Sequence, residues 1–236
     1  MNTTPLPKTF PGITDRIPKL TQDLMQYIEL RAHEGPYALQ VAGCNITVDP
    51  FVFPPASEHS ISSRGVYQQL GKEFVYGKSV LDLGTGSGIL GIVAAKNGAR
   101  QVDASDFSRD ALKCATKNAR QNNVNMNFYL SDMFDNIPRA NYDLIIANLP
   151  ILPMLIPDPT FLSLFDPAYS CHKRLFAQSP QYLARNGNIL MCTANLIQSG
   201  FKNIESIAKE NNFRWEIAHS AQELGHEWRT YIFNKK

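Results

Sequence analysis

Between residues 80 and 92, the apolar run Val80-Leu81-Asp82-Leu83 gives way to Gly84-Thr85-Gly86-Ser87-Gly88. The apolar helical pattern Ile89-Leu90-Gly91-Ile92 follows at once. This is the most restrictive feature of the chain. Glycine at alternate positions leaves no Cβ to keep a ligand away, and the helix behind the turn opens with unpaired N–H groups. A buried strand feeding such a turn is one beat of an alternating α/β fold.

The rest of the C-terminal portion keeps that beat. Strands are expected at 79–84, 101–106, 125–132, 142–148 and 188–193. Helices are expected at 88–97, 108–121 and 199–211, with short helical pieces near 172–178 and 181–185. Residues 213–219 and 227–234 alternate like two strands joined by a loop, without a helix between them. The expected fold is therefore α/β and Rossmann-like: a seven-stranded mixed sheet, mostly parallel, with an antiparallel C-terminal hairpin. Ahead of it, residues 1–12 read as a loose arm, 17–31 as an amphipathic helix, and 37–41 with 45–48 as a hairpin. A proline-ended linker at 51–55 and another helix come before the glycine loop.

Composition narrows the chemistry. Twenty-three Lys and Arg against 21 Asp and Glu leave a net charge of +2, a weak attraction for nucleic acid. The longest charge-free apolar-rich stretch, 144–157, has fourteen residues and three prolines, too short and broken for a membrane span. The polar start, with prolines at 5 and 7, does not resemble a secretory leader, so a cytoplasmic protein is expected. Cys44, Cys114, Cys171 and Cys192 form no Cys-x-x-Cys pair, and Cys171-His172 has no second pair at ligand spacing; no metal site is expected.

Two cofactors compete for the loop. Gly86 to Gly91 matches G-x-G-x-x-G, with Asp106 twenty residues beyond Gly86, which suits a nicotinamide dinucleotide. The loop opens earlier, however, at Gly84, beside the carboxylate of Asp82. A carboxylate there disfavours a pyrophosphate and favours a cationic sulfonium amino acid. S-adenosyl-L-methionine is therefore preferred, and a nicotinamide-dependent oxidoreductase is the alternative.

The same residues resemble class I S-adenosylmethionine-dependent methyltransferases. Asp82 to Gly88 is similar to their first motif, Val102 to Ser108 to their second strand, and Ser131-Asp132-Met133-Phe134 to their adenine-contacting segment. The resemblance implies that Asp106 meets the ribose, with Phe107 beside it. It places Asp132 and Met133 at the adenine, and Asp82, Gly84, Thr85, Gly86 and Gly88 at the methionine end. Asn148-Leu149-Pro150-Ile151 resembles the Asn-Pro-Pro-Tyr motif of enzymes that methylate nitrogens conjugated to a π system. There the Asn side-chain oxygen and the next backbone carbonyl accept the two N–H hydrogens and aim the nitrogen lone pair at the methyl group. Asn148, Leu149 and Pro150 are thus the catalytic candidates, and the resemblance implies that Asn148 borders the cofactor as well. Leu149 lacks the stiffness of proline, and Ile151 lacks the aromatic ring that would stack on a flat substrate.

The hairpin, Val52-Phe53-Pro54-Pro55 and Ser57-Glu58 are laid out as in the release-factor glutamine methyltransferases and related small-domain N-methyltransferases, with a shortened N-terminal region. Phe165-Asp166-Pro167 is similar to a segment of that family. The resemblance divides the chain into a helix-and-hairpin extension, 1–55, covering the pocket, and a methyltransferase domain, 56–236. The expected reaction is N-methylation of a small molecule or protein, with an RNA base as a further alternative. His59 and Arg64 are read as pocket residues or as inert loop and turn residues. Phe161, Phe165 and Tyr169 line the pocket or fill the core, and Lys113, Lys117 and Arg120 form a solvated face.

Overall fold

The computed structural model describes residues 17–55, 60–156 and 158–236. The expected arm at 1–12, Ser57-Glu58 and His59 lie outside the described residues.

Seven strands form one sheet: β3 (Ser79–Leu83), β4 (Gln101–Asp106), β5 (Asn127–Leu130), β6 (Tyr142–Ala147), β7 (Leu183–Ala194), β8 (Phe213–Glu223) and β9 (His226–Lys235). Their spatial order is β5-β4-β3-β6-β7-β9-β8. The first five are parallel, while β9 runs antiparallel to both β7 and β8. All five residues of β3 are buried, as expected of a parallel strand covered on both faces. Its side chains alternate between two apolar layers: Val80 packs with α4 (Ile89–Lys96), whereas Leu81 and Leu83 face the layer that holds α6 (Ser170–Gln178) and α7 (Gly200–Glu210). The chain leaves β3 for β4 on one side and returns through β6 on the other, so the strand order reverses at β3. Ligands of open α/β sheets bind outside the carboxyl ends of strands at such a point.

The antiparallel hairpin agrees with the expectation but is tighter. The strands run to Glu223 and from His226, and Leu224 and Gly225 make the whole turn at φ +51° and +77°. The second clear departure lies at 181–185. The expected helical piece ends at Gln181, and β7 begins at Leu183. Tyr142 N–H donates to the Tyr182 carbonyl at 2.7 Å, which draws this segment onto β6, and the register then slips between Tyr142 and Leu144. The slip needs Gly187, where a Cβ would stand 2.6 Å from the Tyr142 carbonyl oxygen.

Three N-terminal elements precede the sheet: α1 (Lys19–Glu34), the hairpin of β1 (Tyr37–Val41) and β2 (Cys44–Val48), and α2 (Ile61–Tyr67). A short helix, α3 (Lys72–Val75), leads from α2 to β3. The hairpin is sewn to α5 (Arg109–Gln121) by Asn118, which is fully buried. Asn118 exchanges hydrogen bonds with both backbone groups of Thr47 at 2.8 Å and donates to the Ser87 carbonyl of the glycine loop at 2.8 Å. α1 packs elsewhere. Ile17, Leu24, Met25 and Ile28 form a third apolar cluster with Leu152, Ile156, Phe161, Leu164 and Phe165 from the segment after β6.

Candidate active site

A cavity of about 740 Å³ opens at the carboxyl ends of β3, β4 and β6. The glycine loop forms its floor. Gly84 and Gly86 take φ of +75° and +55°, and a Cβ on either would project into open space. Gly88, at φ +86°, closes the turn against α5, where a Cβ would sit 3.0 Å from the Ala115 Cβ. The left-handed backbone therefore favours glycine at all three positions, but only Gly84 and Gly86 line the cavity.

The loop's donors are turned inward. Gly84 and Thr85 N–H donate to the Ser105 carbonyl, Gly88 N–H to the Thr85 carbonyl, and Gly86 N–H to the Asp106 carboxylate, so four of the five N–H groups of residues 84–88 serve the protein itself. A pyrophosphate is bound by free N–H groups at just this place. The arrangement fits a dinucleotide poorly.

Asp82 lies behind the loop, not on the cavity. Its Oδ2 accepts from the Thr85 hydroxyl at 2.6 Å and from Gly91 N–H at 2.9 Å. Burial pushes its carboxyl up to about 6; those two hydrogen bonds oppose the rise and the nearby Asp106 charge adds to it. Contact between the ligand and Asp82 or Gly88, as the sequence resemblance implies, is thus replaced by support of the loop from below.

Asp106 does reach the cavity, at the end of β4. Gly86 N–H donates to its Oδ2 and Ser108 N–H to its Oδ1, both at 2.9 Å, and each carboxylate oxygen keeps a lone pair for a further donor. Burial raises its pKa, against the pull of the surrounding N–H groups. Phe107 beside it leaves 59% of its surface exposed. Across from them, Met133 takes φ +49°, and Asp132 pairs with Arg174 at 2.8 Å. These residues present hydroxyl acceptors, an open backbone cradle and apolar faces, which suit the ribose, amino-acid and adenine parts of S-adenosylmethionine.

Asn148, Leu149 and Pro150 line the opposite end. The Asn148 Nδ2 donates to the Ser63 Oγ at 3.1 Å, while its Oδ1 has no hydrogen-bond partner in the protein. A buried carbonyl without a partner carries a cost, which a ligand donor removes. Ser63, 2% exposed on α2, belongs to the site although only its neighbour Arg64 stood out in the sequence. Arg64 pairs instead with Glu223, away from the cavity. Of the three aromatics Phe161, Phe165 and Tyr169, only Phe165 lines the cavity; Phe161 fills the α1 cluster and Tyr169 packs on the α6–α7 layer.

The wall beyond Asn148 comes from segments far apart in the chain. Leu20, Thr21 and Leu24 of α1 face residues 160–167, which are folded by a bridge between Leu152 and Phe165 and by Asp166 N–H donating to the Leu152 carbonyl at 2.7 Å. Asp166 is wholly buried against His172 Nδ1 at 2.6 Å. Burial alone would raise its pKa, but the His172 contact and the Cys171 and His172 N–H groups hold it below the usual range. Consecutive left-handed residues, Ala168 and Tyr169 at φ +54° and +57°, follow it into α6. Among the described residues, no three His, Cys, Asp or Glu side chains come together as a metal site, and no helix is long and apolar enough to cross a membrane.

The model of the family described as methyltransferase small domain matches residues 45–215. A protein from Methanocaldococcus jannaschii named as an N5-glutamine methyltransferase is 29% identical over 187 residues, which cover 76% of this chain and 90% of that protein. The ribosomal protein L11 methyltransferase of Dictyoglomus turgidum is 38% identical over 104 residues, 44% of this chain; the match spans only 34% of that protein's length. Among solved structures, the Thermus thermophilus 16S rRNA N2 G1207 methyltransferase, in complex with AdoMet and guanosine, superposes with a TM-score of 0.60 at 18% identity. That superposition covers 85% of this chain and 50% of the other. It is a likeness of fold.

Proposed function

The chain belongs to the methyltransferase small-domain family and is an S-adenosylmethionine-dependent methyltransferase, and we propose that it methylates an amide or amino nitrogen of a small molecule or protein. The observation that carries this reading is the Asn148 side chain. Its NH₂ end is anchored on Ser63, its carbonyl oxygen is buried without a protein partner, and the residue lines the cavity. The relative named for glutamine N5-methylation supports an amide as the accepting group.

S-adenosylmethionine, when bound, supplies an electrophilic methyl carbon on a sulfonium. Asp106 would accept its ribose hydroxyls beside Phe107, Asp132 and Met133 would border its adenine, and Gly84, Thr85 and Gly86 would carry its methionine end. Asn148 Oδ1 takes one N–H of the substrate nitrogen and the Leu149 carbonyl takes the other. Pro150 holds Leu149 in an extended conformation, which fixes that carbonyl. A conjugated nitrogen is a weak nucleophile because its lone pair is delocalised. With its hydrogens on two acceptors in one plane, the lone pair points out of that plane toward the methyl group. The nitrogen gains positive charge as the bond forms and its hydrogens become more acidic, so both acceptors hold the transition state more tightly than the ground state. No base has to act before transfer. Within the extension, 1–55, α1 acts as a cover over this end through Leu20, Thr21 and Leu24, and 56–236 acts as the methyltransferase domain.

Two features weigh against an RNA base. Ile151 offers no ring for stacking, and Arg174, the one Lys or Arg on the cavity among the described residues, is engaged by Asp132 and Asp135. The test is methyl labelling of an extract from a strain lacking the protein. Asn148→Ala should lower the rate about 10²- to 10³-fold while S-adenosylhomocysteine binds as before. Ser63→Ala, which frees the amide to turn, should lower it roughly tenfold. Retained activity in Asn148→Ala would remove the nitrogen assignment.

A further inference from the structure

Resting on the Asn148 reading above, we infer that the substrate is a small uncharged carboxamide with an apolar body, enclosed beneath α1, rather than a polypeptide side chain or a nucleotide. Three observations lead there.

The first is charge. Among the described residues, the cavity carries only four ionisable acids and bases of ordinary charge, Asp106, Asp132, Asp166 and Arg174. Asp132 and Arg174 neutralise each other at 2.8 Å, and Asp166 is closed off by His172 at 2.6 Å. Asp106 stands at the loop end, held by Gly86 and Ser108. None of them is left to pair with a charge on a substrate at Asn148. A phosphate, carboxylate or ammonium brought there would lose its hydration with no free counter-charge among the described residues.

The second is the character of the wall. Among the described residues, the lining includes Leu20, Leu24, Ile151, Leu152, Leu164 and Trp228, together with small hydroxyls such as those of Thr21 and Ser63. Such a wall rewards apolar surface on the ligand, while Asn148 Oδ1, buried without a hydrogen-bond partner, rewards an N–H donor.

The third is enclosure. A polypeptide presenting one side chain needs an open trough for its backbone on either side of that residue. Over this end of the cavity lies α1 instead, bound to the 152–165 segment by nine buried apolar residues. Leu24 belongs to both the cavity wall and that cluster, so moving α1 aside exposes the cluster as well. A ligand small enough to pass the rim at Phe51 and Leu162, which are 59% and 37% exposed, meets no such cost.

The experiment titrates butanamide, hexanamide and octanamide, and the methyl esters of equal chain length, into the full chain saturated with S-adenosylhomocysteine, by calorimetry. Each added methylene buried against the wall should tighten binding about fourfold until the cavity is filled. Each amide should bind more tightly than its ester, which has no N–H for Asn148. Amide preference without chain-length dependence would overturn the apolar body. Chain-length dependence with amide and ester equal would overturn the carboxamide, and with it the Asn148 reading beneath. Tighter binding of acetyl-Ala-Gln-Ala-amide than of octanamide would overturn the enclosure.

Discussion

The two ends of the cavity are built by opposite means. At the glycine-loop end, polar groups are paired with others within twenty residues: Thr85 and Gly91 on Asp82, Gly86 and Ser108 on Asp106, Gly88 on Thr85. Strand and helix fix the rest. At the Asn148 end there is little regular structure, and the wall is held by apolar contact between α1 and a folded segment more than a hundred residues away. One end is positioned by hydrogen bonds, which are directional and exacting. The other is positioned by packing, which depends on volume and tolerates changes of sequence that keep it. A shared cofactor requires the first kind of construction, and a substrate particular to one enzyme can be served by the second.

The contrast breaks most visibly at Leu24. Truncation to alanine removes side-chain volume from both the cavity wall and the α1 cluster, and should cost about 2–5 kcal/mol of stability. It should weaken hexanamide binding and leave S-adenosylhomocysteine affinity nearly unchanged; thermal unfolding and calorimetry on one sample read both. Equal loss of the two ligands would mean that α1 supports the whole cavity rather than one end.

Asp106→Ala is the mirror test. It removes charge-assisted hydrogen bonds worth roughly 1.5–3 kcal/mol, so S-adenosylhomocysteine affinity should fall about tenfold or more while the α1 cluster and the fold persist. Unchanged affinity would displace the ribose from β4.

A third test, on stability and not on ligand affinity, concerns Asp82 and sharpens the comparison through pH. Burial holds its carboxyl at about 6, above the ordinary 3.8, so the folded chain binds this proton more tightly than the unfolded chain. Its contribution to stability is then full below about pH 4 and is lost as pH rises through about 6. Asp82→Asn should flatten this part of the stability profile, measured by denaturant unfolding at closely spaced pH values between 4 and 7. Hexanamide binding should not respond. An unaltered profile would mean that Asp82 titrates as an ordinary aspartate.

The same division explains what could be read from the sequence. The loop, Asp106, Phe107, Asp132 and Met133 lie within about fifty residues of one another, and strand-turn-helix spacing places them without tertiary knowledge. The sheet was legible for the same reason, since an apolar strand such as Ser79–Leu83 declares itself locally. Spacing puts Asp82 close to the loop but does not give the direction of its side chain, which Gly91 N–H and the Thr85 hydroxyl draw inward. The pattern of Gln181–Arg185 suits a helix, and only Tyr142, far away in the chain, turns it into a strand by donating to the Tyr182 carbonyl. Ser63 and the α1 residues were not legible as site residues at all. Helical spacing marked Leu20 and Leu24 as apolar-face positions, but nothing in a period says which cavity that face will close.

Asn118 gives the molecule a further property. One buried amide grips the hairpin at Thr47 and the glycine loop at Ser87. The two are therefore not independent in their fluctuations: an opening of either one strands polar groups of the other in a dry interior. Whatever free energy a loop ligand contributes to holding a partner on the hairpin, that partner contributes equally to holding the ligand on the loop. Seen through amide hydrogen exchange, the Thr47 and Gly86 amides should slow together when S-adenosylhomocysteine binds. The hairpin then behaves less as an appendage than as a gauge of whether the loop is filled.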